Sequence, residues 1–176
     1  MGQIADVLQL QERWEDAYKQ HTKVLRIQVI QFGAQHLEVG ITFAAMARVL
    51  QKDGKLSESI SHFDKALAIH VGAYGMHDER VGEIMNELAL VHKKAGHLDD
   101  AYSLSEQVLA IVGPAHPTAA ACLTNMAVIL EGKGKKAEAA ELFRKAYRIF
   151  SATHGPAHAY SVLADKKAKA NAVESC

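Results

Sequence analysis

Cysteine is nearly absent. The 176 residues hold two, Cys122 within an apolar helical pattern and Cys176 at the last position. Two such cysteines make no disulfide framework and suit a reducing compartment, so a cytoplasmic location is expected. Neither sign of charge is in excess, with Lys plus Arg and Asp plus Glu at 20 each. No global field therefore argues for nucleic acid, and no apolar run approaches the length of a membrane span. The opening Met1-Gly2-Gln3-Ile4-Ala5-Asp6 carries no leader pattern and has Asp where a myristoylation signal wants Ser or Thr. The closing Val173-Glu174-Ser175-Cys176 is not a prenylation box. Catalytic signatures are missing as well. There is no Gly-x-Ser-x-Gly, no His-Glu-x-x-His and no strand-borne phosphate loop, so neither an enzyme nor a cofactor is expected. Aromatics make up 6% and prolines number three, yet 49% of the chain is hydrophobic. That supports one domain with a continuous core.

What the chain does have is a repeat. Asn86-Glu87-Leu88-Ala89, then Gly96-His97-Leu98-Asp99-Asp100-Ala101, then Val108-Leu109-Ala110-Ile111 form one block. Upstream stand Met46-Ala47, Gly54 to Ser59 and Ala66 to Ile69. Downstream stand Asn125-Met126-Ala127, Gly134 to Ala139 and Ala146 to Ile149. A partial copy begins at Ile4-Ala5 and continues through Trp14-Glu15-Asp16-Ala17. Gly33 to Gly75 and Gly54 to Gly96 are 42 residues apart, whereas Gly96 to Gly134 is 38. The four missing residues fall between Ile111 and His116. Four residues are about one helical turn, so the helix ending near Val112 should be one turn short.

Each unit reads as two helices. Val81, Ile84, Met85, Leu88, Ala89 and Val91 recur at helical spacing, after an acidic start at Asp78-Glu79. Lys93-Lys94-Ala95-Gly96 ends that helix with cations and a glycine. Leu98, Ala101, Leu104, Ser105, Val108, Leu109 and Ile111 mark the second. Ala17, Ser59, Ala101 and Ala139 share one small-residue slot, which lets two helices approach closely. In the first copy Glu12 stands where the others have glycine. The expected organisation is one domain over 1–176. It has a partial repeat at 1–32, full repeats at 33–74, 75–112 and 113–154, and a capping helix at 155–176. The polar run Asp165 to Ala170 suits such a cap.

These blocks resemble tetratricopeptide repeats. The 42-residue spacing, the Gly-x-x-His-Pro turn at Gly113 to Pro117 and the Asn-x-Leu-Ala string at Asn86 to Ala89 look like the kinesin-light-chain type. The resemblance implies an all-α, right-handed superhelical solenoid of antiparallel helix pairs. It further implies that the first helix of each pair lines a concave groove. Counted from Met46, Leu88 and Met126, the inward positions are Ile41, Ala44, Arg48 and Gln51; Glu83, Asn86, Leu90 and Lys93; and Ala121, Thr124, Val128 and Glu131. The groove so read is apolar in the middle, with Asn86 and Thr124 as polar handles and Arg48, Gln51, Glu83, Lys93 and Glu131 toward the rim. That composition fits a peptide or helix.

Two features remain. Residues 133–176 hold nine basic and four acidic side chains, so the balanced total hides a basic end. That end suits either a solvated surface or an acidic partner. Of ten histidines, His36, His116 and His158 fall in turns between units, a whole unit apart. Metal sites need converging ligands, so these read as turn-capping residues and no metal is expected. The functional expectation is a non-enzymatic adaptor or scaffold that binds a protein or peptide segment, without nucleic acid or membrane insertion. The alternative is a structural subunit of a multi-subunit complex, packed through its outer face or its N-terminal end.

Overall fold

The computed structural model describes residues 12–173. Among them the regular elements are eight α-helices and no strand. They are α1 (Trp14–Phe32), α2 (Leu37–Lys52), α3 (Leu56–Tyr74), α4 (Glu79–Ala95), α5 (Leu98–Val112), α6 (Pro117–Gly132), α7 (Lys136–His154) and α8 (Ala159–Val173). The opening of the partial repeat, Ile4-Ala5 with Leu8, lies outside the described residues, as does Cys176. The chain divides into two compact units between Ala95 and Gly96. In the first unit α1 to α4 pack in chain order, each on the next; in the second, α5 to α8 do the same. Turns of three or four residues join neighbours within each unit, so successive helices run antiparallel.

In the first unit α2 and α3 approach closely at both ends. Ser59, fully buried, donates its hydroxyl to the Ala47 carbonyl at 2.7 Å. Near the other end, a Cβ on Gly40 would stand 2.9 Å from Ile69 Cγ2 and 3.1 Å from the His70 ring. Ala17 of α1 packs on Val49. In the second unit Ala139 of α7 packs with Ala127, Leu130, Phe143 and Ala168. All four members of the small-residue slot are buried, as are all six apolar positions anticipated on α4.

Helix starts and stops follow local chemistry. His36 Nδ1 accepts from the Glu38 amide at 3.3 Å, and His116 Nδ1 from the Thr118 amide at 3.2 Å. His158 Nδ1 accepts from the Tyr160 amide at 3.4 Å. The inter-unit histidines are thus helix caps, each taking one of the amides that a helix start leaves unpaired. Asp78 does the same for α4, accepting from the Arg80 amide at 2.9 Å. Gly134 turns the chain into α7 at φ +77°, where a side chain is costly. Glu12, its counterpart in the first copy, adopts φ +56° without glycine's freedom.

Helix α5 has 15 residues, against 19 each for α1, α3 and α7. The one-turn shortening expected from the spacing is present. The last helix, α8, buries Ser161, Ala164, Ala168 and Asn171. Ala168 takes the place of a larger residue and lets α8 settle on Leu130 and Phe143. Its run from Asp165 to Ala170 is polar outward, but its first turns leave Tyr160, Val162 and Leu163 exposed.

Ala139→Leu should lower stability by about 1–3 kcal/mol, because the added methylenes have no space beside Ala127 and Phe143. Urea denaturation read by circular dichroism checks it, and an unchanged midpoint would mean that the slot yields to larger side chains.

Candidate functional site

The residues expected to face a groove come from α2 and α4 in the first unit and from α6 in the second. Each unit stands by itself. In the first, Ile41 is exposed and Ala44 is buried, so Ala44 is wall rather than contact. Arg48 is exposed and its guanidinium forks onto Glu87, with Nε and Nη2 each 2.6 Å from a carboxylate oxygen. This bidentate pair ties α2 to α4, and the hydrogen bonds to Glu87 hold Arg48 more firmly protonated than an isolated arginine. Gln51, Asn86, Leu90 and Lys93 are half-buried, and Glu83 is exposed. Burial and the neighbouring Lys94 lower the Lys93 pKa.

A cavity of about 210 Å³ opens on this face. Ile41, Ala44, Arg48, Glu83 and Ile84 line it from α2 and α4. His70 and Tyr74 close it from α3, and Arg80 from the start of α4. Arg80 lies 3.4 Å from the centre of the Tyr74 ring, a cation–π contact. Its fork also holds Asp78, with both nitrogen–oxygen distances 2.8 Å. That pairing draws the Asp78 pKa down to about 2 and raises that of Arg80. Glu87, His70, Tyr74 and Arg80 are the site residues that sequence reasoning missed. Tyr74 ends α3 and Arg80 begins α4, so only the turn between them brings ring and guanidinium together. Asp78 and Arg80, two residues apart at a helix start, were the one available signal.

In the second unit Thr124 is half-buried and donates its hydroxyl to the Ala120 carbonyl at 2.8 Å. It can offer a ligand only acceptor lone pairs. Val128 is exposed. Glu131 is engaged by α8. Lys167 Nζ donates to its two oxygens at 3.1 and 2.9 Å, and Asn171 Nδ2 donates at 3.0 Å. The Lys167 hydrogen bond is the chief cause of the lowered Glu131 pKa. Cys122 is buried, and desolvation pushes its thiol up to about 12, which makes it a poor nucleophile. Among the described residues no helix is long and apolar enough to cross a membrane.

Both carboxyls titrate below their ordinary values in the folded chain, so their stabilisation is complete above about 4.5 and drains as the pH falls toward 2. Glu131→Gln should lower the denaturation midpoint near neutral pH and flatten the acid limb, with the two proteins converging in acid. Parallel pH curves would show that the contact with Lys167 and Asn171 contributes nothing.

The family model described as tetratricopeptide repeat matches residues 1–70, 42–112 and 80–152. No curated protein matches the chain at a significant level. Solved structures share the fold. One is a kinesin-light-chain candidate of Podosopora anserina with nearly identical TPR-like repeats. It superposes with a TM-score of 0.80 at 21% identity, over 98% of this chain and 85% of that one. BtubC (BKLC) from P. vanneervenii gives 0.79 at 19% identity, over 88% of this chain and 63% of that one. MamA gives 0.62 at 13%, over 98% and 96%. The fold is therefore an all-α solenoid of the tetratricopeptide type.

Proposed function

The chain belongs to the tetratricopeptide-repeat family, and on that premise we propose that it is a non-enzymatic adaptor whose α2–α4 face receives a protein segment. The observation that carries this reading is the cavity between Ile41, Ile84, Arg48 and Glu83, which joins an apolar floor to fixed charges of both signs. Peptide grooves are built this way: apolar surface gives affinity, and a few oriented polar groups set register. Gln51, Asn86, Leu90 and Lys93 continue the face along α2 and α4, and Thr124, Val128 and Glu131 offer the equivalent face of α6. The Asn86 amide both donates and accepts, which suits a peptide backbone. The likeness to repeats of the kinesin-light-chain type supports an adaptor over a catalyst, and a cytoplasmic setting fits such a role.

A displayed random-peptide library, selected on the wild-type protein, tests this. Asn86→Ala and Leu90→Ala should each weaken a selected peptide by about 1–3 kcal/mol while leaving the melting temperature nearly unchanged. If both variants unfold, the positions are core and the face is misassigned. If both fold and still bind, the groove lies elsewhere.

One observation favours a second reading, a structural subunit. Ile27, Ile30 and Phe32 of α1 are 43%, 84% and 51% exposed, more apolar surface than one helix usually shows to water. Sedimentation velocity separates the readings. An adaptor should remain monomeric as concentration rises; a subunit should associate, and Ile30→Glu should abolish the association.

A further inference from the structure

We infer that the second unit carries a separate docking site, in the hollow bounded by α5, α6 and α7, for an acidic protein segment with an apolar anchor. The hollow has a volume of about 380 Å³ and is lined by Leu109, Pro114, Leu123, Lys145, Arg148 and Ile149. It lies beside the end of α5, the helix that stops one turn before its counterparts. Leu109 belongs to the final turn of that helix and Pro114 to the turn after it. In α3 the corresponding place is filled by the additional turn from Val71 to Tyr74. The floor is Leu123, only 8% exposed and continuous with Ala120, Ala146 and Phe150 of the core.

The rim is cationic. Lys145 and Arg148 lie three residues apart on α7, and so on one helical face. Both are exposed, and among the described residues neither meets a carboxylate. Other cations of that region are matched: Arg144 lies 3.4 Å from Glu141, and Lys135 lies 3.2 Å from Glu138. The two cations left over are those bordering the hollow. An apolar floor demands an apolar side chain, and two unmatched cations above it demand carboxylates on either side of that side chain. A basic segment is repelled. A bare anion leaves the floor wet. Two cations are too few for the backbone of a nucleic acid, whose binding draws on several phosphate contacts. The hollow is separate from the α2–α4 face, so the two sites fail or hold independently.

Fluorescence anisotropy with labelled synthetic peptides tests the site. The probe carries Leu-Phe inside a run of Asp and Glu; one control replaces the acids with Lys, and another replaces Leu-Phe with Gly-Ser. The acidic probe should bind, more weakly as salt rises. Lys145→Glu/Arg148→Glu should weaken it about tenfold or more and confer binding of the Lys control. Lys145→Ala/Arg148→Ala provides the same loss should the reversal disturb folding, which circular dichroism checks. Leu90→Ala should leave the affinity unchanged, and methyl resonances of Ile149 and Leu109 should move while that of Ile41 stays still. The inference is overturned if no peptide binds, if neither double variant alters binding, or if the control without Leu-Phe binds equally. Tighter binding of single-stranded RNA or anionic vesicles than of the probe also overturns it.

Discussion

A close passage between antiparallel helices, at a slot too small for a branched side chain, sets the frame of both units. Ala17, Ser59, Ala101 and Ala139 occupy it, and each is at most 1% exposed. A methyl group needs no partner there, but a hydroxyl does. Ser59 meets that need by donating to Ala47 O on the facing helix, so the polar substitute becomes a clamp. With the backbones held close, Met46 and Phe63 in one unit, and Leu130 and Phe143 in the other, fill the space on either side. The same passage commits one face of α2, α4 and α6 to the core and leaves the opposite face to solvent. The candidate site exists because that face is left over.

The frame was legible because repetition amplifies weak signals. One small residue means little, while four at one register position define a contact. The turn histidines were legible for the same reason. Each sits two residues before the amide it caps, a local relation that spacing preserves. Relations between helices were not legible. Arg48 and Glu87 are 39 residues apart, and Glu87 falls one position outside the inward set counted from Leu88. Helical phase cannot decide which of Asn86 and Glu87 leans toward α2, since long side chains reach across that difference. Likewise nothing in the α8 pattern reveals that Lys167 and Asn171 converge on Glu131, because their partner lies 36 to 40 residues earlier.

The cross-helix ion pairs differ in what they accomplish. Lys133 and Asp99 lie 2.5 Å apart, but the Asp99 side chain is 92% exposed, so water competes fully for it. Arg48 with Glu87 is bidentate, and Glu131 is gripped by an ammonium and an amide together. Multiple donors in fixed directions give orientation even where the net energy is small. Arg80 illustrates the extreme: Asp78 holds its edge while the Tyr74 ring lies against its face. A guanidinium fixed on two sides has little rotamer freedom left to lose when a ligand arrives.

The short α5 shows how such a frame acquires a new surface without disturbing its core. Removing four residues shifts the helical phase by only about 40°, so the positions before the deletion keep their faces. Val108 remains fully buried and Leu109 still packs on the core cluster. What is lost is length: the chain reaches Gly113 early, and Pro114 stands where α3 continues through another turn. The helix that should have been covered there, α7, retains Ile149 as apolar wall and Lys145 and Arg148 as edge. A deletion of any other size would have rotated α5 and exposed Val108. A whole-turn deletion therefore changes the surface while the packing rules of the repeat still hold.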